Sequence, residues 1–288
     1  MPYRLRLPAG YAGGSAFRST RGEGVRPLSP SSLVATLRAA GCVFAEEEAQ
    51  LLLDEASTPD QLAAMVSRRV AGEPLEHVLG WVAFCGRRIW LDPAVFIPRR
   101  RTEFLARRAV ALAPRPDGRR DRLVVDLCCG SGAVGAVVAA ELAPVQLIAA
   151  DLDPIAVRCA RRNLPDGARV YQGDLFEPLP ADLRGRVHLL VANAPYVPSD
   201  AVELMPWEAR EHEPRTALDG GFDGLDVLRR VLAGAPSWLA PGGHVLVESS
   251  RTQAPVLVGV AASHGLVANV VTDDEASATV VTATLPAG

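Results

Sequence analysis

The 288-residue sequence predicts an α/β fold, in which a mostly parallel sheet carries helices on both faces and a small helical domain precedes it. From Leu123 to the carboxyl terminus, short apolar runs alternate with helical patterns, which is typical of right-handed strand-helix-strand crossovers. Before that region, helical periodicity dominates. A content of 49% hydrophobic and 22% charged residues is enough for one large domain and a smaller one.

Four segments are predicted along the chain. Residues 1–28 are rich in Gly, Arg and Ser and are expected to be a mobile extension. Residues 29–72 hold three short helices, of which the first starts at Ser-Pro and the third at Thr-Pro, and each of these two ends near a glycine. Residues 73–121 show a strand-like hairpin and a linking helix. Residues 122–288 form the main domain, in which the last two strands lack a helix between them, so one of them is expected to be antiparallel at the sheet edge.

The composition argues against a membrane protein, a disulfide-rich protein and a zinc protein. No apolar run is long enough to span a membrane and no secretory signal is indicated, so the expected compartment is the cytoplasm. The five cysteines form no C-x-x-C pair, which predicts reduced thiols and no metal site. All thirty basic residues are arginine, and 19 lie in residues 1–122 beside 13 acidic residues. A solvated face explains such an excess more often than a nucleic-acid partner does.

A glycine turn follows the first predicted strand of the main domain. It reads Asp126-Leu127-Cys128-Cys129-Gly130-Ser131-Gly132 and stands where a strand gives way to a helix. It lacks the Lys-Ser/Thr pair of a phosphate loop and the full glycine pattern of dinucleotide enzymes, so a phosphate ligand is not required. We interpret the vicinal cysteines as small side chains that let a ligand approach the backbone.

Three aspartates stand at the ends of three successive predicted strands. Asp126 suits a cation or amine, and Asp151 is placed to accept hydrogen bonds from ribose hydroxyls. Asp174, with Leu175, is expected to face a base. Together they indicate an adenosine ligand with a positively charged aminoacyl group, a description that S-adenosylmethionine fits. Each aspartate taken alone also has a structural interpretation, as a helix cap or turn residue.

The stretch Asn193-Ala194-Pro195-Tyr196 follows the apolar run 187–192, which predicts a buried parallel strand ending at a ligand-binding edge. Asn193 offers one acceptor and two donors, and so is able to hold a planar amide or amine. Ala194 precedes a proline and is biased to an extended conformation, which turns its carbonyl toward the same pocket. With Tyr196 flat against the held group, these acceptors predict chemistry at nitrogen.

These segments resemble the class I methyltransferases, and more narrowly the protein-glutamine N5-methyltransferases that modify translational release factors. The resemblance runs from about Glu73 to the carboxyl terminus. The segments that carry it are Glu73-Pro74-Leu75-Glu76-His77-Val78-Leu79-Gly80, Val95-Phe96-Ile97-Pro98-Arg99, the glycine turn, Gly173-Asp174-Leu175-Phe176, Asn193 to Tyr196, Glu211-His212-Glu213-Pro214-Arg215, Ala217-Leu218-Asp219-Gly220-Gly221 and Asp223-Gly224-Leu225.

The resemblance implies methyl transfer from S-adenosylmethionine to a glutamine side-chain amide of a protein such as a release factor. Asn193 Oδ1 and the Ala194 carbonyl would accept from the two amide N–H groups, and Pro195 and Tyr196 would form the pocket wall. The implied catalytic residues are Asn193, Pro195 and Tyr196, and the implied substrate-binding residues are Asn193, Ala194, Pro195, Tyr196 and Arg99. The implied cofactor residues are Asp126, Cys128, Cys129, Gly130, Ser131, Gly132, Asp151, Asp174, Leu175 and Asn193.

Departures from the family pattern leave other acceptors open. Ala194 replaces the first proline of Asn-Pro-Pro-Tyr, Arg100 and Arg101 interrupt the usual Pro-Arg-Pro-Glu-Thr-Glu, and residues 248–250 read Glu-Ser-Ser where Glu-Ile-Gly is usual. One alternative is a methyltransferase of a small amide or guanidine, whose carboxylate the added arginines would hold. Others are a methyltransferase of nucleic-acid amines, which the net charge of −3 disfavours, and a cofactor-binding module without turnover.

Overall fold

The structure is a computed structural model that describes residues 29–113 and 122–287. The predicted extension 1–28 lies outside these residues, as does the end of the predicted linking segment, residues 114–121. The chain divides into two compact units, the first ending at Arg88 and the second beginning at Ile89. The four segment boundaries predicted from the sequence stay a prediction.

The first unit contains a small helical bundle. Ser29 and Thr58 cap two of its helices, because their side chains accept hydrogen bonds from backbone N–H groups three residues on, and a proline follows each cap. Leu33, Leu37 and Leu52 are fully buried. The helices are α1 (Pro30–Ala39), α2 (Ala45–Glu55), α3 (Pro59–Val70) and α4 (Leu75–Leu79), and a two-stranded hairpin of β1 (Trp81–Phe84) and β2 (Arg87–Trp90) follows them.

The second unit alternates strands and helices, as the sequence predicts. None of the helices in the described part of the chain is long and apolar enough to cross a membrane. The elements are α5 (Thr102–Leu112), β3 (Arg122–Leu127), α6 (Ala133–Leu142), β4 (Val145–Asp151), α7 (Pro154–Asn163), β5 (Arg169–Gln172), β6 (Val187–Ala192), α8 (Trp207–His212), α9 (Asp226–Gly234), β7 (Leu239–Glu248), α10 (Ala254–Ser263), β8 (Val267–Asp273) and β9 (Ala278–Thr284).

The main sheet has seven strands in the order β5-β4-β3-β6-β7-β9-β8. Strands β3 to β7 pair in parallel, whereas β9 is antiparallel to both β7 and β8. The predicted fold class, including the antiparallel end of the sheet, is thereby confirmed. From β3 the chain adds β4 and then β5 on one side of the sheet, and it then returns to add β6 on the other side of β3. Strands β3 and β6 are therefore neighbours at a topological switch point. Leu127 pairs with Ala192 there, which brings the two strand ends together.

The central strands are buried on both faces, which explains their continuous apolar runs. Leu127, Leu190 and Val247 are completely buried within one cluster that extends through the sheet and the helices beside it.

Strand β7 begins five residues earlier than the predicted start at His244. Its first part includes Pro-Gly-Gly, which indicates a turn in the sequence, but a register shift against β6 accommodates it. A Cβ on Gly243 would lie 2.7 Å from the Val187 carbonyl oxygen, so only glycine fits there.

Candidate active site

A cavity of about 200 Å³ lies at the carboxyl ends of the central strands. It brings together most of the residues that the sequence nominates. Those that line it are Asp126, Cys128, Cys129, Gly130, Ser131, Asp151, Asp174, Leu175, Asn193 and Pro195. Gly132, Ala194, Tyr196 and Arg99 are not among its lining residues.

The glycine turn is fixed against the end of β4. The Cys129 N–H donates to the Ala150 carbonyl at 3.1 Å, and the Gly130 N–H donates to Asp151 Oδ2 at 2.8 Å. Cys128 has φ 53°, an uncommon value for a residue with a side chain and one that occurs preferentially at functional sites. Gly132 has φ 78° and caps α6. The turn therefore presents backbone to the cavity, as its small residues predict.

Asp126 is a buried carboxyl group at the start of this turn. Its Oδ2 accepts from the Gly135 N–H at 2.9 Å. Burial raises the pKa of Asp126 to about 7, and the charge of Asp151 adds to the rise while the Gly135 hydrogen bond opposes it. Burial also raises the pKa of the Cys128 and Cys129 thiols, so both are neutral. This agrees with their interpretation as small side chains.

Asp151 is held by two backbone groups. Its Oδ1 accepts from the Asp153 N–H at 2.9 Å and its Oδ2 from the Gly130 N–H. Each carboxylate oxygen has a second lone pair, so the side chain keeps capacity for a ligand hydroxyl. Burial raises the pKa of Asp151, and these hydrogen bonds oppose the rise.

Asp174 pairs with an arginine that sequence reasoning did not identify. Arg230 Nη2 donates to Asp174 Oδ2 at 2.7 Å, and both residues line the cavity. This hydrogen bond raises the pKa of Arg230. Arg230 lies on α9, 56 residues away from Asp174, and an arginine on a helix face reads as a solvated charge in sequence. Pro214 and Thr216, inside or next to segments that carry the family resemblance, also line the cavity.

The acceptor turn, Asn193 to Tyr196, is braced at both ends. Asn193 Nδ2 donates to Thr102 Oγ1 at 3.4 Å, and Thr102 is buried at the first position of α5. The Tyr196 hydroxyl donates to Glu248 Oε1 at 2.9 Å. Burial raises the pKa of Tyr196, and the Glu248 carboxylate adds to the rise. Thr102 and Glu248 lie in two segments that depart from the family pattern, but their contacts with the acceptor turn become visible only in the fold.

Two glycines and a glutamine hold the backbone of the acceptor turn. Gln253 Nε2 donates to the Tyr196 carbonyl at 2.9 Å and to the Asp223 carbonyl at 3.0 Å. A Cβ on Gly220 would lie 2.7 Å from the Pro195 carbonyl oxygen. A Cβ on Gly224 would likewise collide with the Tyr196 carbonyl. These glycines therefore permit the close approach of two backbone segments.

Arg99 is engaged by a buried acid. Its Nη2 lies 2.5 Å from Oε2 of Glu213, whose side chain is fully buried, and the Ile97 N–H donates to the other oxygen of that carboxylate at 3.1 Å. Two segments of the family resemblance thus contact each other. The predicted role of Arg99 in substrate binding stays a prediction.

Residues 102–221, which include the central strands and much of the cavity lining, match a protein-family model described as a methyltransferase small domain. This span runs from α5 through the acceptor turn. The protein is therefore an enzyme of the methyltransferase class.

Individual relatives define the family more narrowly. The release factor glutamine methyltransferase of Geobacter sulfurreducens is 39% identical over 213 residues, which cover 72% of each chain. That of Streptomyces coelicolor is 40% identical over 191 residues, covering 66% of this chain and 67% of the relative. The chain belongs to the release factor glutamine methyltransferase family, which confirms the resemblance seen in the sequence. A 4-amino-L-phenylalanine/4-methylamino-L-phenylalanine methyltransferase of Streptomyces pristinaespiralis is also 38% identical over 200 residues, covering 68% and 67%.

Proposed function

We propose that this chain transfers a methyl group from S-adenosylmethionine to the side-chain amide nitrogen of a glutamine in a release factor. The observation that carries the proposal is the position of Asn193, which lines the same cavity as Asp126, Asp151 and Asp174. Its Oδ1 accepts no hydrogen bond from the described residues, and so suits an incoming N–H donor. Membership of the release factor glutamine methyltransferase family supports a release-factor glutamine as the acceptor, and it supports a cytoplasmic location for the enzyme.

The residues around the cavity fit S-adenosylmethionine, which supplies an electrophilic methyl group on a sulfonium when it is bound. Asp126 is a buried carboxyl whose ionised form a nearby cation would favour. Asp151 keeps acceptor capacity for hydroxyl groups, and Leu175 adds an apolar wall. The backbone of the glycine turn allows close approach of the ligand.

The acceptor turn would act by orientation. An amide nitrogen is a poor nucleophile because its lone pair is delocalised, so most of the acceleration must come from position and restraint. We assign Asn193 Oδ1 and the Ala194 carbonyl as acceptors for the two N–H groups, and Pro195 as a wall of the pocket. These polar acceptors also stabilise positive charge that develops on the nitrogen. The methyl–sulfur bond would break as the C–N bond forms, which would leave a neutral thioether, and the methylated nitrogen would then release its surplus proton to solvent, so no strong general base is needed before the transfer.

A second candidate acceptor is a small aromatic amine. The observation that favours it is the relative named for 4-amino-L-phenylalanine, which is about as similar as the release factor enzymes. Arg100 and Arg101 are exposed cationic residues before α5, and an amino-acid acceptor carries a free carboxylate that they would attract. The experiment below also includes the three other acceptors that the sequence leaves open, which are a small amide, a guanidine and a nucleic-acid amine.

The test is methyl transfer from a labelled donor to a release factor, with 4-amino-L-phenylalanine, free glutamine, free arginine and an oligonucleotide in parallel. We expect label on a glutamine of the release factor, located by mass spectrometry of its peptides. Asn193→Ala should reduce the single-turnover transfer rate at saturating donor about a hundredfold. The control is Asn269→Ala, the same substitution at an exposed position of β8. Label on a small amine alone, or on none of the acceptors, would overturn the proposal.

A further inference from the structure

Two consecutive residues at the start of α5 reach opposite ends of the acceptor turn. Thr102 Oγ1 accepts from Asn193 Nδ2, as described above. Arg101 Nε donates to Glu248 Oε1 at 3.1 Å, and this is the oxygen that also accepts from the Tyr196 hydroxyl. The guanidinium carbon of Arg101 lies 5.6 Å from the centroid of the Tyr196 ring. Arg101, Glu248 and Tyr196 therefore form one connected cluster.

Glu248 is the buried member of this cluster. It is 2% exposed at the end of β7, and its Oε2 has no hydrogen-bond partner within residues 29–113 and 122–287. The pairing of Ala192 with Val247 shows that Asn193 and Glu248 are the next residues on adjacent parallel strands. A buried carboxylate thus lies one strand away from the proposed acceptor-binding residue, where burial makes its charge costly unless a cation compensates it.

Arg101 supplies that compensating charge. Its side chain is 44% exposed, so the guanidinium remains partly hydrated while Nε contacts Glu248. With Arg101 in place, a cationic acceptor beside Asn193 gains little from Glu248 and meets a like charge. An uncharged amide or aromatic amine meets no such penalty.

We propose that Arg101 is a positioning residue that holds Tyr196 through Glu248 and cancels the carboxylate charge, so that the site selects an uncharged acceptor nitrogen over a guanidinium. The inference rests on the proposed function, because it concerns the acceptor of the same methyl transfer. It extends that function by naming the charge of the accepted group and the residue that sets it.

The first experiment compares Arg101→Gln with Arg107→Gln, an exposed arginine on the same helix that pairs with Glu103. Arg101→Gln should lower kcat/KM for the glutamine acceptor about tenfold, mainly through kcat, and should raise the relative rate with free arginine. Arg107→Gln should leave both quantities unchanged. Equal acceptor preference in the wild type and Arg101→Gln, or a wild type that prefers arginine, would overturn the selectivity.

The second experiment is a double-mutant cycle with Tyr196→Phe, which removes the hydroxyl that Glu248 binds. If Arg101 acts through this contact, Arg101→Gln should lose most of its effect on kcat in the Tyr196→Phe background. Additive effects would show a role unrelated to Tyr196. Because Arg101→Gln leaves a buried carboxylate without its cation, the double variant Arg101→Gln/Glu248→Gln, in which the cluster is neutral, is measured as well.

The coupling between Arg101 and Tyr196 is also measured from the urea unfolding midpoints of the same four variants, because this measurement requires no methyl acceptor. Coupling between Arg101 and Tyr196, together with a wild type that methylates no glutamine, would contradict the proposed function and leave the positioning role standing. Methylation of glutamine without any coupling would retain the proposed function and refute the role of Arg101.

Discussion

Asn193 Nδ2 donates to Thr102 Oγ1 at 3.4 Å, which joins the end of β6 to the first residue of α5 across 91 positions of sequence. The contact uses the amino side of the asparagine amide and orients its Oδ1 for another donor. Under the proposed function, Thr102 is thus a support for the group that holds the acceptor.

We expect Thr102→Val to lower kcat about fivefold, because a single side-chain hydrogen bond contributes about 1 kcal/mol. Affinity for S-adenosylmethionine should not change. The measurement is single-turnover methyl transfer together with donor binding by calorimetry. Thr272→Val, the same change at an exposed position of β8, is the control. A loss of donor affinity equal to the loss of kcat would contradict the assignment.

Gly220→Ala should destabilise the protein and disturb the acceptor turn. The added Cβ would lie 2.6 Å from the Gly224 carbonyl oxygen and 2.7 Å from that of Pro195, and both are backbone atoms that cannot rotate away. We expect a loss of about 1–3 kcal/mol in the free energy of unfolding, and a lower kcat.

The matched control for this change is Gly259→Ala in α10, where an added Cβ has nothing within 4 Å. In a helix interior the substitution should stabilise the fold by up to about 1 kcal/mol. Urea unfolding of both variants measures the difference. Equal midpoints for the two would show that the close approach at Gly220 does not constrain the turn.

Asp126 should make the free energy of unfolding depend on pH. Its pKa is raised from 3.8 to about 7, so between these values the folded chain binds more protons at this group than the unfolded chain. The associated stability is fully present below 3.8 and is lost as the pH rises through about 7. Asp126→Asn, which does not titrate, should therefore become more stable relative to the wild type as the pH rises, by roughly 1 kcal/mol or more.

Urea midpoints at pH about 5 and about 8 measure this change. Asp182→Asn, at an exposed position, should follow the wild type at both values. The same Asp126→Asn variant should bind S-adenosylmethionine more weakly, since the costly carboxylate is the proposed partner of a cation. A constant stability difference across the pH range would refute the raised pKa.

Arg230→Gln should separate stability from cofactor affinity. Its ion pair with Asp174 is half exposed, so its removal should change the free energy of unfolding by less than about 1 kcal/mol. Affinity for S-adenosylmethionine should fall by about threefold to tenfold, because Asp174 would lose the contact that orients it. Arg251→Gln, which breaks a more exposed pair on Asp274, should affect neither quantity. Unchanged donor affinity in Arg230→Gln would remove Arg230 from the site.

The fold class was predictable from the sequence because parallel strands buried on both faces leave unmistakable apolar runs. The bounds predicted for β6 match those observed, whereas β7 starts earlier because a register shift absorbs residues that read as a turn. Residues next to strand ends were predicted to lie together for the same reason, and Asp126, Asp151, Asp174 and Asn193 do line one cavity.

Residues brought in from distant elements were not predictable. Arg230 and Gln253 reach the site from α9 and from the start of α10, whose packing depends on the whole fold, and the contact of Thr102 with Asn193 joins segments 91 positions apart. The ion pair of Arg99 was not predictable either, since its partner Glu213 lies 114 positions away, and its role in substrate binding stays a prediction. A charged side chain in a motif does not reveal in sequence whether its partner is a ligand or a buried residue.

The two turns that form the site draw their supports from different parts of the sheet. The glycine turn is attached to β4 through Ala150 and Asp151, whereas Asn193 to Tyr196 is held from α5, β7 and α10. Mutations on one side therefore have little reason to disturb the other. Such a division makes acceptor range an evolvable and engineerable trait: a laboratory seeking new methylation products would randomise the supports of the acceptor turn and keep the donor half constant.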